Sequence, residues 1–188
     1  MRPILLTFPL LLATLACRPE TADRAGAADS TPAPPAPADT EPWTIRLDGV
    51  GPISFGMSLV EARAALADSL PVAPPDASCG FTVPRGAPAG LRLMVEGGKV
   101  VRADVDSSDV RTAAGAEVGM SEADVRGLYP DGLRVQPHKY DPKGRYLVVQ
   151  ESTPANSARR LIFETDGQRV VRYRAGITPA VEYVEGCA

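Results

Sequence analysis

The densest run of functional groups is Pro137-His138-Lys139-Tyr140-Asp141-Pro142-Lys143-Gly144-Arg145-Tyr146, which sets two tyrosines, three cations and an imidazole around one turn. Tyrosine and arginine supply rigid contact surface and hydrogen bonds at recognition hot spots. His138, Lys139, Tyr140, Lys143 and Tyr146 therefore form the first candidate binding loop. The plainer reading is a polar hairpin loop with His138 exposed or capping a carbonyl. A second set lies further on, where Arg172 and Arg174 alternate on one side of a strand with Val171 and Tyr173 on the other. With Arg102 they lay a basic stripe across a sheet face, countered by Glu96 and Glu164. Such a stripe is either solvated cross-strand pairing or a recognition surface for an acidic partner or glycan.

Catalytic chemistry has fewer footholds. A single histidine in 188 residues excludes His-rich metal sites and leaves His138 as the sole candidate for Ser–His or Cys–His chemistry. Gly-x-Ser-x-Gly, Walker A, HExxH and CxxC patterns are absent. Asp104, Asp106 and Asp109 have a spacing suggestive of calcium, but the glycine and distal bidentate glutamate of an EF-hand loop are missing; they read as a linker. No catalytic residue, cofactor or metal is expected. The enzymatic alternative is a hydrolase or thiol enzyme centred on His138 with Cys79 or a carboxylate, since a nucleophilic thiol needs a cation or imidazole beside it.

The three cysteines differ in position. Met1–Ala16 (MRPILLTFPLLLATLA) has one basic residue, an apolar stretch from Ile4 to Leu15 and a small residue. That stretch falls short of the roughly 18–20 residues that span a bilayer, so it reads as an export signal. Thr14-Leu15-Ala16-Cys17 resembles the relaxed bacterial lipobox, which implies lipidation of Cys17 and a membrane partner. Arg18 after the cysteine implies the outer membrane; simple secretion, with Cys17 discarded or unpaired, is the alternative. Cys79 and Cys187 are then an even pair in an exported chain and are expected to bridge. Closing a loop that long is worth roughly 4–5 kcal/mol in the chain-entropy account.

Residues 17–42 form the lipidated cysteine and its tether. From 18 to 42 there are six prolines and no Val, Ile, Leu, Met or aromatic residue, a composition unable to offset its ordering entropy. It reads as a partly polyproline II spacer. The whole chain carries a net charge of −3. Five acidic and three basic residues precede residue 43, so the remainder stands at −1. A domain so near neutrality lacks the footprint of a general nucleic-acid binder. Residues 43–188 suffice for one ordinary domain.

The elements that position these groups are organised by self-similarity. Phe55-Gly56-Met57-Ser58-Leu59-Val60-Glu61-Ala62-Arg63 aligns with Val118-Gly119-Met120-Ser121-Glu122-Ala123-Asp124-Val125-Arg126. Downstream, Leu93–Glu96 with Val100–Arg102 parallels Leu161–Glu164 with Val170–Arg172. The reading is two tandem helix-plus-hairpin repeats, 43–106 and 112–187. Ser58 with Glu61, and Ser121 with Asp124, predict capping boxes for helices over 59–67 and 122–129. Gly97-Gly98 and Asp166-Gly167 predict hairpin turns between strands 91–96 and 99–105, and 159–164 and 169–175. Further strands are expected at 43–47, 79–83, 145–151 and 181–184. The fold class is α+β, with short helices packed on one face of one antiparallel sheet and the other face open.

This repeat skeleton resembles the β-lactamase inhibitor protein family and the small outer-membrane lipoproteins of the β-barrel assembly machinery. Both use a Gly-Met-Thr/Ser turn into a short helix followed by antiparallel strands. The resemblance implies a non-enzymatic envelope protein that grips a protein partner with its sheet and loops. Here the second copy carries a long insertion, Asp131–Gly144, and no inhibitory loop is matched residue by residue. Carbohydrate binding through the tyrosines and arginines is the other binding alternative.

Overall fold

The computed structural model describes residues 42–71, 78–151 and 153–187. The leader, Cys17 and the tether up to residue 41 lie outside the described residues. In chain order the elements are β1 (Ile45–Arg46), β2 (Gly49–Val50), β3 (Ile53–Ser54), α1 (Leu59–Ala65), β4 (Cys79–Thr82), β5 (Leu91–Glu96) and β6 (Lys99–Val105). There follow α2 (Glu122–Leu128), β7 (Leu133–Pro137), β8 (Arg145–Val149), β9 (Arg159–Thr165) and β10 (Val170–Ile177). Single 3-10 turns occupy Pro154–Asn156 and Ala180–Glu182. β1, β2 and β3 make a small sheet, and the other strands an open seven-stranded antiparallel sheet in the order β4-β5-β6-β10-β9-β8-β7. This is the expected α+β class, but in two sheets where one was expected: the chain from 45 to 54 pairs within itself rather than joining the large sheet.

The entries to the two helices are built alike. Gly56 and Gly119 sit at φ 94° and 92°, a region open to glycine. Their N–H groups donate to Val100 O (2.7 Å) and Val170 O (2.8 Å). Ser58 then caps α1 with a complete box: its Oγ accepts from the Glu61 N–H, and the Glu61 carboxylate takes the Ser58 N–H at 2.9 Å. The box predicted at Ser121 is only half formed. Ser121 Oγ accepts from the Asp124 N–H, but the Asp124 carboxylate takes the Ser121 hydroxyl instead of its backbone N–H. Aspartate is one methylene shorter than glutamate.

Both helices bury one residue fully, Ala62 and Val125, and cover the inner face of the large sheet. Period-2 alternation, interrupted in β6 where its register with β5 shifts, supplies that face: Leu91, Leu93 and Val95 from β5, Val100, Ala103 and Val105 from β6, Leu147 and Val149 from β8, Leu161 and Phe163 from β9, Tyr173 and Ala175 from β10. With Ile45, Val50 and Ile53 of the small sheet they form a single apolar cluster.

Three expectations change. The supposed insertion at 131–144 holds a strand, β7, which pairs with β8 from Leu133–Val149 to Pro137–Arg145. Val171 does not share the inner face with Tyr173; the register shifts between Val170 and Arg172, so Val170 takes the core place and Val171 is exposed. Residues 181–184 form no strand. Arginine side chains, not a partner strand, take the carbonyls there: Arg102 donates to Ala180 O and Tyr183 O, and Arg174 to Val181 O.

Candidate functional site

The functional groups gather on the outer face of the large sheet, the side away from the helices. Strand registers place them in three cross-strand rows. Gln136, Tyr146, Glu164 and Arg172 stand opposite one another in the first. Arg134, Val148, Ile162, Arg174, Asp104 and Arg92 form the second. Arg160, Gly176, Arg102, Met94 and Phe81 form the third. Opposed side chains on one face are close enough to interact directly.

Glu164 is the centre of charge. Its side chain is 4% exposed and meets Arg172 at one oxygen, Arg174 at the other (3.5 Å), and His138 Nε2 at 2.9 Å. Burial works to raise the Glu164 carboxyl, but the hydrogen bonds from Arg172 and His138 outweigh it and hold it below the ordinary glutamate value. Burial, then repulsion from Arg102, presses Arg174 below the usual arginine value against the pull of Glu164 and Asp104. Arg102 in turn holds Asp104 at 2.8 and 2.5 Å.

His138 is neither exposed nor capping a carbonyl. Its Nδ1 accepts the N–H groups of Tyr140 (3.1 Å) and Asp141 (2.9 Å), which close the 138–144 turn. Nε2 therefore carries the proton and donates to Glu164. The ring stacks on Tyr146, centroids 4.7 Å apart, and the Arg174 guanidinium lies 5.6 Å from the Tyr146 centroid. Both imidazole nitrogens are thus committed inside the protein. Cys79 has no thiol: its sulfur is bonded to that of Cys187, with the Cα atoms 5.5 Å apart. A Cys79–His138 pair is ruled out, and the disulfide is the chemistry of an exported protein.

The outer face is not wholly open. Residues 178–187 run across it as a strap, tied by the disulfide and by the arginine–carbonyl bonds above. Val181 is fully buried against Tyr146, Val148 and Ile162, with Val184 beside them. Lys139 (3.2 Å) and Tyr140 donate to Glu185 of the strap; those bonds, that from Tyr140 foremost, hold Glu185 below its usual value. Between strap and β7 lies a cleft of about 450 Å³, lined by Arg134, Gln136, Tyr146, Arg160, Arg174 and Glu182 among others.

Of the residues picked from sequence, His138, Lys139, Tyr140, Tyr146, Arg172 and Arg174 come together here. Lys143 does not: it is exposed in the turn. Arg134, Arg160, Glu182 and Glu185 were missed. The period-2 spacing of Arg134 with Gln136, and of Arg160, Ile162 and Glu164, was the available signal. Among the described residues no three His, Cys, Asp or Glu side chains converge as a metal-ligand set.

No protein-family model matches this chain, and no curated protein does. Two of the solved structures similar to it are these. One is an extracellular protein containing an SCP domain from Bacillus anthracis str. Ames, at 14% identity and TM-score 0.43, covering 76% of this chain. The chain spans 50% of that protein's length. The other is the uncharacterized protein yfeY from Escherichia coli, at 16% identity and TM-score 0.44, covering 71% of this chain and 99% of that one.

Proposed function

We propose that this is an exported envelope protein, lipid-anchored through Cys17 and held off the outer membrane by its tether, that binds a macromolecular partner on the outer sheet face without catalysis. The observation that carries the reading is the outer face itself. Its central charges are fixed by buried partners, while Arg134, Arg160 and Gln136 stand around a cleft at its margin. Such pre-organised polar groups around an apolar floor suit recognition. The occupied nitrogens of His138 and the oxidised Cys79 favour binding over a reaction centred there. Tyr146, packed between His138 and Arg174, offers no open ring to a sugar, and the exposed Tyr140 has Lys139 over its ring and its hydroxyl on Glu185, which favours a protein partner over a glycan.

The scaffold is read as two copies of one unit. The matched turns into α1 and α2, and the placement of β4–β6 and β7–β10 either side of the β6–β10 pairing, support that reading.

Two experiments test it. A photo-crosslinking residue at Gln136 on the outer face is expected to capture a partner in intact cells, whereas one at Val60, on the exposed side of α1, is not. Capture at 60 alone would refute the assignment of the face. Replacing Cys17 with Ser is expected to abolish fatty-acid labelling and release the protein from membranes; persistent labelling would remove the anchor from the proposal.

A further inference from the structure

We infer that the cleft beside β7 receives an acidic side chain of an extended peptide that adds as a further strand to the β7 edge. The inference rests on the outer-face reading above and names the class of partner.

Four observations converge. First, β7 is the terminal strand of the sheet and among the described residues pairs only with β8, so its other backbone edge faces no described strand, the geometry of β-strand addition. Second, its side chains alternate in a usable way. Arg134 and Gln136 point to the cleft, and Val135, 42% exposed, points to the other face. An added strand with acids at every second position and small apolar residues between them would match both faces. Third, the cleft is cationic: Arg134, Arg160 and Arg174 line it against one acid, Glu182. Arg134 has no ionic partner among the described residues, and Arg160 reaches Glu182 only at 3.9 Å. Fourth, Tyr146 is among the residues lining the cleft, and its hydroxyl is buried with no protein hydrogen-bond partner among the described residues. Buried tyrosine hydroxyls ordinarily find one. A carboxylate entering between the arginines supplies the acceptor. Val148, Ile162 and Val184 form the apolar part of the lining.

The probe is acetyl-Ser-Glu-Val-Glu-Val-Glu-Ser-amide, titrated calorimetrically into the full-length protein with amide exchange read at 133–136, Pro137 having no N–H. Binding with new protection across β7 is expected, weakened at least about tenfold when glutamines replace the glutamates, since a hydrogen bond to a charged group is worth roughly that. The Arg134→Gln/Arg160→Gln double variant, with native circular dichroism, is expected to lose the preference for glutamate. Tyr146→Phe is expected to bind several-fold more weakly (a charge-assisted bond is lost) while unfolding at the same or a higher temperature. Equal affinity for the glutamine peptide, no protection at β7, or free sodium glutamate binding as tightly would each overturn the inference. If the peptide fails while crosslinks from Gln136 persist, this inference falls and the outer-face reading stands.

Discussion

Glu164 balances two arginines and an imidazole on one buried carboxylate, so its removal leaves cations of the outer face without their anion. Glu164→Gln is expected to cost about 3 kcal/mol, the scale for breaking a buried pair, measured by urea unfolding at pH 7. The same residue shapes the acid limb. Its folded carboxyl holds a proton less tightly than an unfolded glutamate, so the unfolded chain binds more protons and stability rises with pH. That contribution is whole above the ordinary glutamate value of about 4.3 and is lost as pH falls through the lowered folded one. Glu164→Gln should therefore flatten the melting-temperature profile between pH 5 and pH 3, roughly the range in which a depressed carboxyl reprotonates. The sequence marked His138 as a candidate but not as an internal brace. Its acceptor lies 26 residues away on another strand, and a local reading cannot see such a partner.

At the level of elements, local chemistry was the most legible. The serine caps and their glycine turns follow from a few adjacent residues, and α1 and α2 begin where those residues place them. Seven-residue helices are marginal alone, so each leans on its cap and its contact with the sheet. Ser58→Ala is expected to cost about 1 kcal/mol and to speed amide exchange over 59–65. Ser121→Ala should cost less, because its box lacks the second arm. β7 and the 178–187 strap were misread for opposite reasons. Gly132 and two prolines around β7 look like loop, yet the neighbouring β8 edge supplies a full ladder. Val181–Val184 looks like strand, yet Arg102 and Arg174 claim the carbonyls a ladder would use. Truncating Val181 to Ala removes a fully buried side chain. It should loosen the strap, costing about 1–2 kcal/mol, the value of the lost methyl groups, with new proteolytic cleavage near residue 180 as the readout.

For the molecule as a whole, the apolar cluster draws on strands from both sequence halves and on the small sheet, so neither half is expected to fold alone. The cysteine pairing was legible because, of the three cysteines, Cys17 falls at the leader junction and the remaining two leave one combination. Serine at both Cys79 and Cys187 is expected to cost about 2–5 kcal/mol by thermal unfolding. The bond has a second effect. β6 and β10 meet along four residue pairs, from Arg102–Gly176 to Val105–Tyr173, and among the described residues theirs is the one strand ladder joining β4–β6 to β7–β10. If that ladder parted, the freed border of β6 in one molecule would fit β10 of another, the route to interlocked dimers. A covalent tie from Cys79 to Cys187 keeps each half beside its own counterpart. Crowded in a narrow compartment before oxidation, neighbouring copies would be free to trade halves; once oxidised, each is committed to itself.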